Sequence, residues 1–269
     1  MRALLSLIAA SFVLASSAAA QEAKPPIRAF DLATTEALGR AMYRQDSAAW
    51  VATDALRPRV PDFRAAHLVG WIVEDHGADQ RVRFLRDTGQ GVEAGYDIDV
   101  SPELKTRVSE PADRALTPGE KANFAAWNSA AANMTGQPIC RPGYNHIVLK
   151  DPQGDGWLVW LLAPMPKMGA MPVGGHYRFS VSADGRTVTR RDALSASCLV
   201  AEATTGVPPT GKLAMSFVTH VISSTPVETH VFLQIQSGLP LFVAAGNRIW
   251  AINAGHITDD GPIGGSKKP

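Results

Sequence analysis

The chain has 269 residues, 45% of them hydrophobic and 19% charged, with a formal net charge of +1. A chain of this size and composition can bury a sizeable core without depending on cross-links. Its near-neutral balance offers no electrostatic footing for nucleic acid or an anionic membrane surface, so neither is expected as a partner.

The N-terminus carries Arg2, an apolar stretch over 4–14, and Ala18, Ala19 and Ala20 before Gln21. That is the pattern of a secretory signal peptide at 1–20 with an A-x-A cleavage site. Ser6 and Ser11 interrupt the apolar run, which falls short of the roughly 20 residues that cross a bilayer. No cysteine follows the cleavage point to accept a lipid, so no membrane anchor is expected after cleavage. The mature protein is expected in the periplasm or outside the cell. Loss of Arg2 leaves 25 basic residues against 25 acidic ones. In an oxidising compartment the two cysteines, Cys140 and Cys198, are expected to form a disulfide. Closing so long a loop stabilises by roughly 4 kcal/mol in the chain-entropy treatment.

Residues 27–137 are predicted to form an N-terminal α+β half. Leu38, Ala41 and Met42 share a helical face, with Glu36 four residues before Arg40. Asp46 and Ser47 have the character of a cap for a second short helix carrying Trp50 and Val51, stopped by Pro58 and Pro61. Segments 67–74, 81–86 and 92–100 are predicted as three antiparallel strands, the last alternating so that Glu93, Asp97 and Asp99 lie on a wet face. Thr117, Pro118 and Glu120 spell a capping box that opens a helix over 118–134.

Residues 138–257 are predicted as a β-meander, either a separate half or continuous with the first. Its hairpins pair 144–150 with 157–163, 176–182 with 186–190, 212–222 with 227–236, and 241–244 with 248–253. The run Leu158, Val159, Trp160, Leu161, Leu162 lacks alternation, as a central strand covered on both faces requires. Residues 258–269 are expected to be a disordered tail. The fold class is therefore α+β, with antiparallel, hairpin-rich curved sheets and helices concentrated in the N-terminal half.

No G-x-S-x-G, S-x-x-K or H-E-x-x-H motif is present, so no catalytic residue is assigned. A secreted hydrolase, with or without a metal, remains an alternative assembled from distant residues. Met165, Met168 and Met171 have M-x-x-M-x-x-M spacing in a proline- and glycine-rich loop. Thioethers are soft ligands for Cu(I), which makes an extracytoplasmic copper carrier a second alternative. The rival reading is that flexible methionines cover the edge of a core. His220, Glu228 and His230 fall on the two arms of one predicted hairpin. In one register they share a face as a Zn(II) set; in the other His230 points away.

Asp151, Gln153, Asp155 and Gly156 resemble the start of a calcium loop, but Leu162 stands where a bidentate glutamate is needed, leaving a hairpin turn. His176, Arg178, Arg190 and Arg191 are candidates for an anion- or partner-binding patch, against a solvated strand face. Trp157, Trp160 and Trp250 belong to a core or line an apolar pocket. Alternation sets His176 beside Arg178 on a polar face, so His146, His176, His220 and His230 are not expected to meet a carboxylate or a serine in one cleft. The leading expectation is a non-catalytic exported module that binds a protein or small-molecule ligand and carries no resident cofactor.

Overall fold

The computed structural model describes residues 26–167, 169–202 and 214–264. The predicted signal peptide at 1–20 and Met168 lie outside the described residues, as does the end of the predicted tail at 265–269.

Helix α1 spans Leu32–Leu56, and the side chain of its N-cap Asp31 accepts from Thr34 N at 2.7 Å. It is one helix of 25 residues in place of the two predicted short ones. Asp46 and Ser47 sit in its middle rather than at a cap, because the alanines around them continue helix formation and bury a face. Leu38 and Met42 enter one core. Ala48, Ala49, Ala52 and Leu56 enter another. Asp46 has no hydrogen-bond or salt-bridge partner among the described residues, and burial pushes its carboxyl up to about 6. A carboxyl raised in the folded state favours folding at low pH and loses that contribution as pH rises through the folded value. Asp46→Asn is therefore expected to add about 1–3 kcal/mol at pH 8 and almost nothing at pH 4 in urea unfolding.

Strands β1 (Leu68–His76), β2 (Asp79–Asp87), β3 (Val92–Val100) and β4 (Thr106–Ser109) form an antiparallel sheet in that order. The three predicted strands are present and β4 is added. Val73, Val82, Phe84, Ile98 and Val100 pack on the C-terminal part of α1. Asp97 and Asp99, expected on a wet face, are buried. Arg83 grips both oxygens of Asp97 at 2.7 Å and also reaches Glu120, while Arg81 and Arg107 bond Asp99. Helix α2 spans Pro118–Ala132 and begins with the predicted capping box: Thr117 Oγ1 accepts from Glu120 N, and Glu120 accepts from Thr117 N.

The next strands are β5 (Asn145–Lys150), β6 (Trp157–Leu162), β7 (Ala170–Pro172), β8 (Tyr177–Val181), β9 (Val188–Ala193) and β10 (Val200–Glu202). Four of them form a sheet in the order β5-β6-β8-β9, and β7 pairs with β10 in a separate two-stranded ribbon. Every residue of β6 is buried. Trp157, Val159 and Leu161 face Ala126 and Ala130 of α2. Leu158, Trp160 and Leu162 join Leu38 and Met42 of α1 in the opposite core. The missing alternation thus reports two covered faces. Cys140 and Cys198 are disulfide-bonded, with Cα atoms 5.4 Å apart.

Strands β11 (Ser216–His220), β12 (Leu241–Ala245), β13 (Arg248–Asn253) and β14 (His256–Pro262) form the last sheet in that order. Here the sequence expectation fails. Segment 227–236 is not a hairpin arm but helix α3 (Glu228–Ser237), and β11 runs parallel to β12. Val231 and Ile235 pack on this last sheet, whereas Phe232 and Leu233 face the core shared with α1. Burial on both sides erases the helical period, and tertiary packing overrides the strand preference of valine, phenylalanine and isoleucine. Gly238, at φ 68°, ends the helix and donates to Gln234 O. A Cβ on Gly39 of α1 would collide with Val231, so the two helices cross at closest approach there. The C-terminal segment is therefore a β-α-β unit with a hairpin extension rather than a meander. Strand β14 carries it to Pro262, past the boundary expected at 257.

Candidate functional site: an apolar groove beside the last sheet

The ribbon of β7 and β10 is in register as Ala170 with Glu202, Met171 with Ala201, and Pro172 with Val200. Ala170 and Pro172 are buried, so strand alternation turns Met171 the other way. On β11 the same period buries Val218 and His220 and turns Phe217 outward. Between ribbon, β11 and the C-terminal end of α3 lies a groove of about 480 Å³. That volume falls within the range of small-molecule sites.

Its walls carry Met165, Met171, Val200, Met215 and Phe217, with Glu202 and Gln236 as polar groups. Met165 is 49% exposed, Met215 46% and Phe217 58%. Apolar side chains that cluster while remaining open to solvent mark interaction sites more often than isolated ones do. Lys167 pairs with Glu202 at 3.0 Å, in exposed positions. Of the predicted copper ligands, Met165 and Met171 both reach this groove. Met215, absent from the expected ligand set, joins them from just before β11.

The histidines are arranged differently from expectation. His220 and His230 touch edge to face with ring centroids 4.7 Å apart, and His176 lies near enough to act electrostatically on His230. They meet not as arms of the predicted hairpin but because α3 folds His230 back over β11. His176 Nδ1 accepts from Ala163 N at 3.1 Å, and its Nε2–H donates to Pro172 O at 2.6 Å. His230 Nδ1 accepts from Val227 N at 3.1 Å, capping α3. Burial lowers His176 and His220 to about 4. His230 lies well below its usual value through burial and the nearby His220 and His176.

This cluster is not the predicted Zn(II) set. The hairpin that would align His220, Glu228 and His230 does not exist. Glu228 accepts from Trp160 Nε1 at 2.8 Å and Arg178 Nη1 at 2.9 Å. Among the described residues no group of three or more histidine, cysteine, aspartate or glutamate side chains is placed to hold a metal ion.

A serine does meet a histidine here, contrary to expectation: His220 Nε2 and Ser223 Oγ are 2.7 Å apart. Ser223 donates its own proton to Thr225 O at 2.7 Å, so the imidazole is the donor and the serine the acceptor. Nucleophile activation needs the reverse polarity. The depression beside Ser223, Thr225 and Glu228 has a volume of about 10 Å³, room for about one water. His146 lies apart, between Trp71 and Trp127 at 4.6 and 4.5 Å, and burial lowers it to about 4.

The structure does not bring the predicted anion patch together as one surface: His176 and Arg178 are buried, whereas Arg190 and Arg191 lie on the more open edge strand β9. Arg178 is fully buried. It donates to Asp192 at 2.8 Å, to Glu228 and to Arg28 O, and lies over the Phe30 ring. Arg190 is held by Asp192 and Pro26 O, and Arg191 by Asn133 O. The 151–156 segment is a hairpin turn in which Asp151 accepts two hydrogen bonds from Arg28. Trp157, Trp160 and Trp250 are core residues. Comparison with protein-family models, with curated proteins and with solved structures finds no match to this chain.

Proposed function

We propose that this protein is an exported, non-catalytic module that holds a small apolar ligand in the groove between the β7–β10 ribbon and β11. The observation that carries the reading is the convergence of exposed Met165, Met215 and Phe217 on one cavity of about 480 Å³. Methionine suits such a site because its unbranched, polarisable side chain adapts to ligands of varied shape. Export is supported by the signal pattern at 1–20 and by the disulfide. Among the described residues no helix is long and apolar enough to cross a membrane.

Titration with the apolar fluorophore anilinonaphthalene sulfonate tests the reading. Saturable binding of one equivalent is expected. Phe217→Asp should weaken it at least about tenfold, equivalent to about 1.4 kcal/mol. Its urea midpoint should stay unchanged, because Phe217 is exposed. Absence of saturable binding, or equal binding by the variant, would overturn the reading.

A second reading is favoured by one observation: Met165 and Met171 from one segment and Met215 from another line the same groove. Three thioethers suit Cu(I). The protein should then take up one Cu(I) under reducing conditions against a competing chelator. Met215→Leu, which keeps volume and removes sulfur, should weaken uptake while leaving the fluorophore bound. No uptake by the unmodified protein would end the copper reading.

A further inference from the structure

One wall of the groove has little strand pairing behind it. Strand β10 has three residues, and among the described residues it pairs only with the three of β7. A two-stranded ribbon of this length is not stable by itself. The chain reaches β10 from β9 through residues 196–199, all exposed, and Cys198 lies two positions before Val200.

Cys140, at the other end of the disulfide, is seated against the turn that joins β7 to β8. A Cβ on Gly175 would collide with its sulfur, and Tyr144, whose hydroxyl donates to Gly175 O at 2.9 Å, also accepts from Cys140 N. Beyond the disulfide, the approach to β10 is fixed by a hydrogen bond from Gly174 N to Leu199 O at 2.9 Å and by Ser195, which accepts from Gly175 N and donates to Ser197 O. The ribbon packs on the core of the last sheet through Met171 and Ala201, but the backbone of β10 pairs only with β7 among the described residues, and the chain leading into it is anchored to the β7–β8 turn by the disulfide and these hydrogen bonds.

We propose that the Cys140–Cys198 disulfide is a redox latch on the groove: reducing it frees β10 and dismantles the wall formed by Val200, Ala201 and Glu202. The exposed half of the bridge is Cys198, and accessible disulfides are the labile, regulatory ones. The reductant is a dithiol. Its thiolate attacks Cys198 Sγ, forming a mixed disulfide and expelling Cys140 as a thiolate that takes up a proton. The second thiol of the reductant, as its thiolate, then displaces Cys198, which is protonated in turn. Two electrons pass to the protein, both cysteines end as thiols, and the dithiol ends as a disulfide.

The proposal rests on the groove being the binding site, and two readouts separate the claims. Oxidised protein, dithiothreitol-reduced protein and the Cys140→Ser, Cys198→Ser double variant are titrated with anilinonaphthalene sulfonate. Amide hydrogen exchange is followed in parallel at 170–174, 199–202 and 157–162. Reduction is expected to weaken the fluorophore at least about tenfold, reversibly on reoxidation. Exchange should accelerate at 170–174 and 199–202, with β6 at 157–162 unchanged, and the double variant should behave as reduced protein without reductant. Unchanged exchange in the ribbon on reduction would overturn the latch. Loss of protection in β6 together with the ribbon would also overturn it, by showing that the disulfide holds the whole fold. If the oxidised protein binds no fluorophore the groove reading fails, and the exchange pattern still decides the latch.

Discussion

Arg178→Met is expected to destabilise the protein by about 3–5 kcal/mol in urea unfolding. Arg178 has no solvent exposure, and its guanidinium joins Asp192 on β9 to Glu228 at the start of α3. Removing it leaves Glu228 with only Trp160 Nε1, and Asp192 with Arg190 and the Arg28 amide. A buried carboxylate stripped of its cation costs far more than the intact pair contributes. Adding Glu228→Gln to Arg178→Met should recover at least about 1 kcal/mol, since the amide still accepts from Trp160 and carries no charge. A loss below about 1 kcal/mol for the single variant, or no recovery in the double one, would show that the cluster is hydrated.

The second large effect is on acid stability. Burial holds His146, His176 and His220 at about 4, and His230 well below its usual value. The same residues titrate near 6.5 in the unfolded chain. Between these values the unfolded state binds more protons than the folded one, so stability falls as pH falls. Each histidine contributes about 1.4 kcal/mol per pH unit across that window. The three at about 4 together give a slope near 4 kcal/mol per unit, enough to consume an ordinary domain stability of about 5–15 kcal/mol. Cooperative unfolding is expected between about pH 6.5 and 4, with uptake of several protons. His220→Gln, which keeps a donor for Ser223, should flatten the slope by about one proton. A flat profile down to pH 4 would contradict the neutral, buried state of this cluster.

Much of the framework was legible because local signals agreed with tertiary burial. Tyr96, Ile98 and Val100 alternate along β3 and pack with α1. Thr117, Pro118 and Glu120 mark a helix start that depends on nothing distant. The unbroken apolar run of β6 announced two covered faces. Helix α3 was hidden for the same physical reason that β6 was clear: residues buried on both sides lose their period, and Val231, Phe232 and Ile235 then have the composition of a strand.

The charged clusters were misread because their partners are remote in sequence. Arg178 meets Glu228 across 50 positions and Asp192 across 14, so the sequence shows cations without the carboxylates that neutralise them. The groove was legible only in fragments. Met165 and Met171 stood out by spacing, whereas β7 and β10 are three residues each, too short to leave a periodic trace. Met215 and Phe217 gain meaning only from the parallel pairing of β11 with β12.

The groove is tested most directly by the methionine methyl resonances of protein labelled with methyl-carbon-13 methionine, recorded while an apolar ligand is added. Met165, Met171 and Met215 line the groove, whereas Met42 and Met134 are buried in separate cores. Saturating shifts confined to the first three, and lost in Phe217→Asp, are predicted. Shifts spread equally to Met42 and Met134, or none at any of the five, would contradict a binding site in the groove.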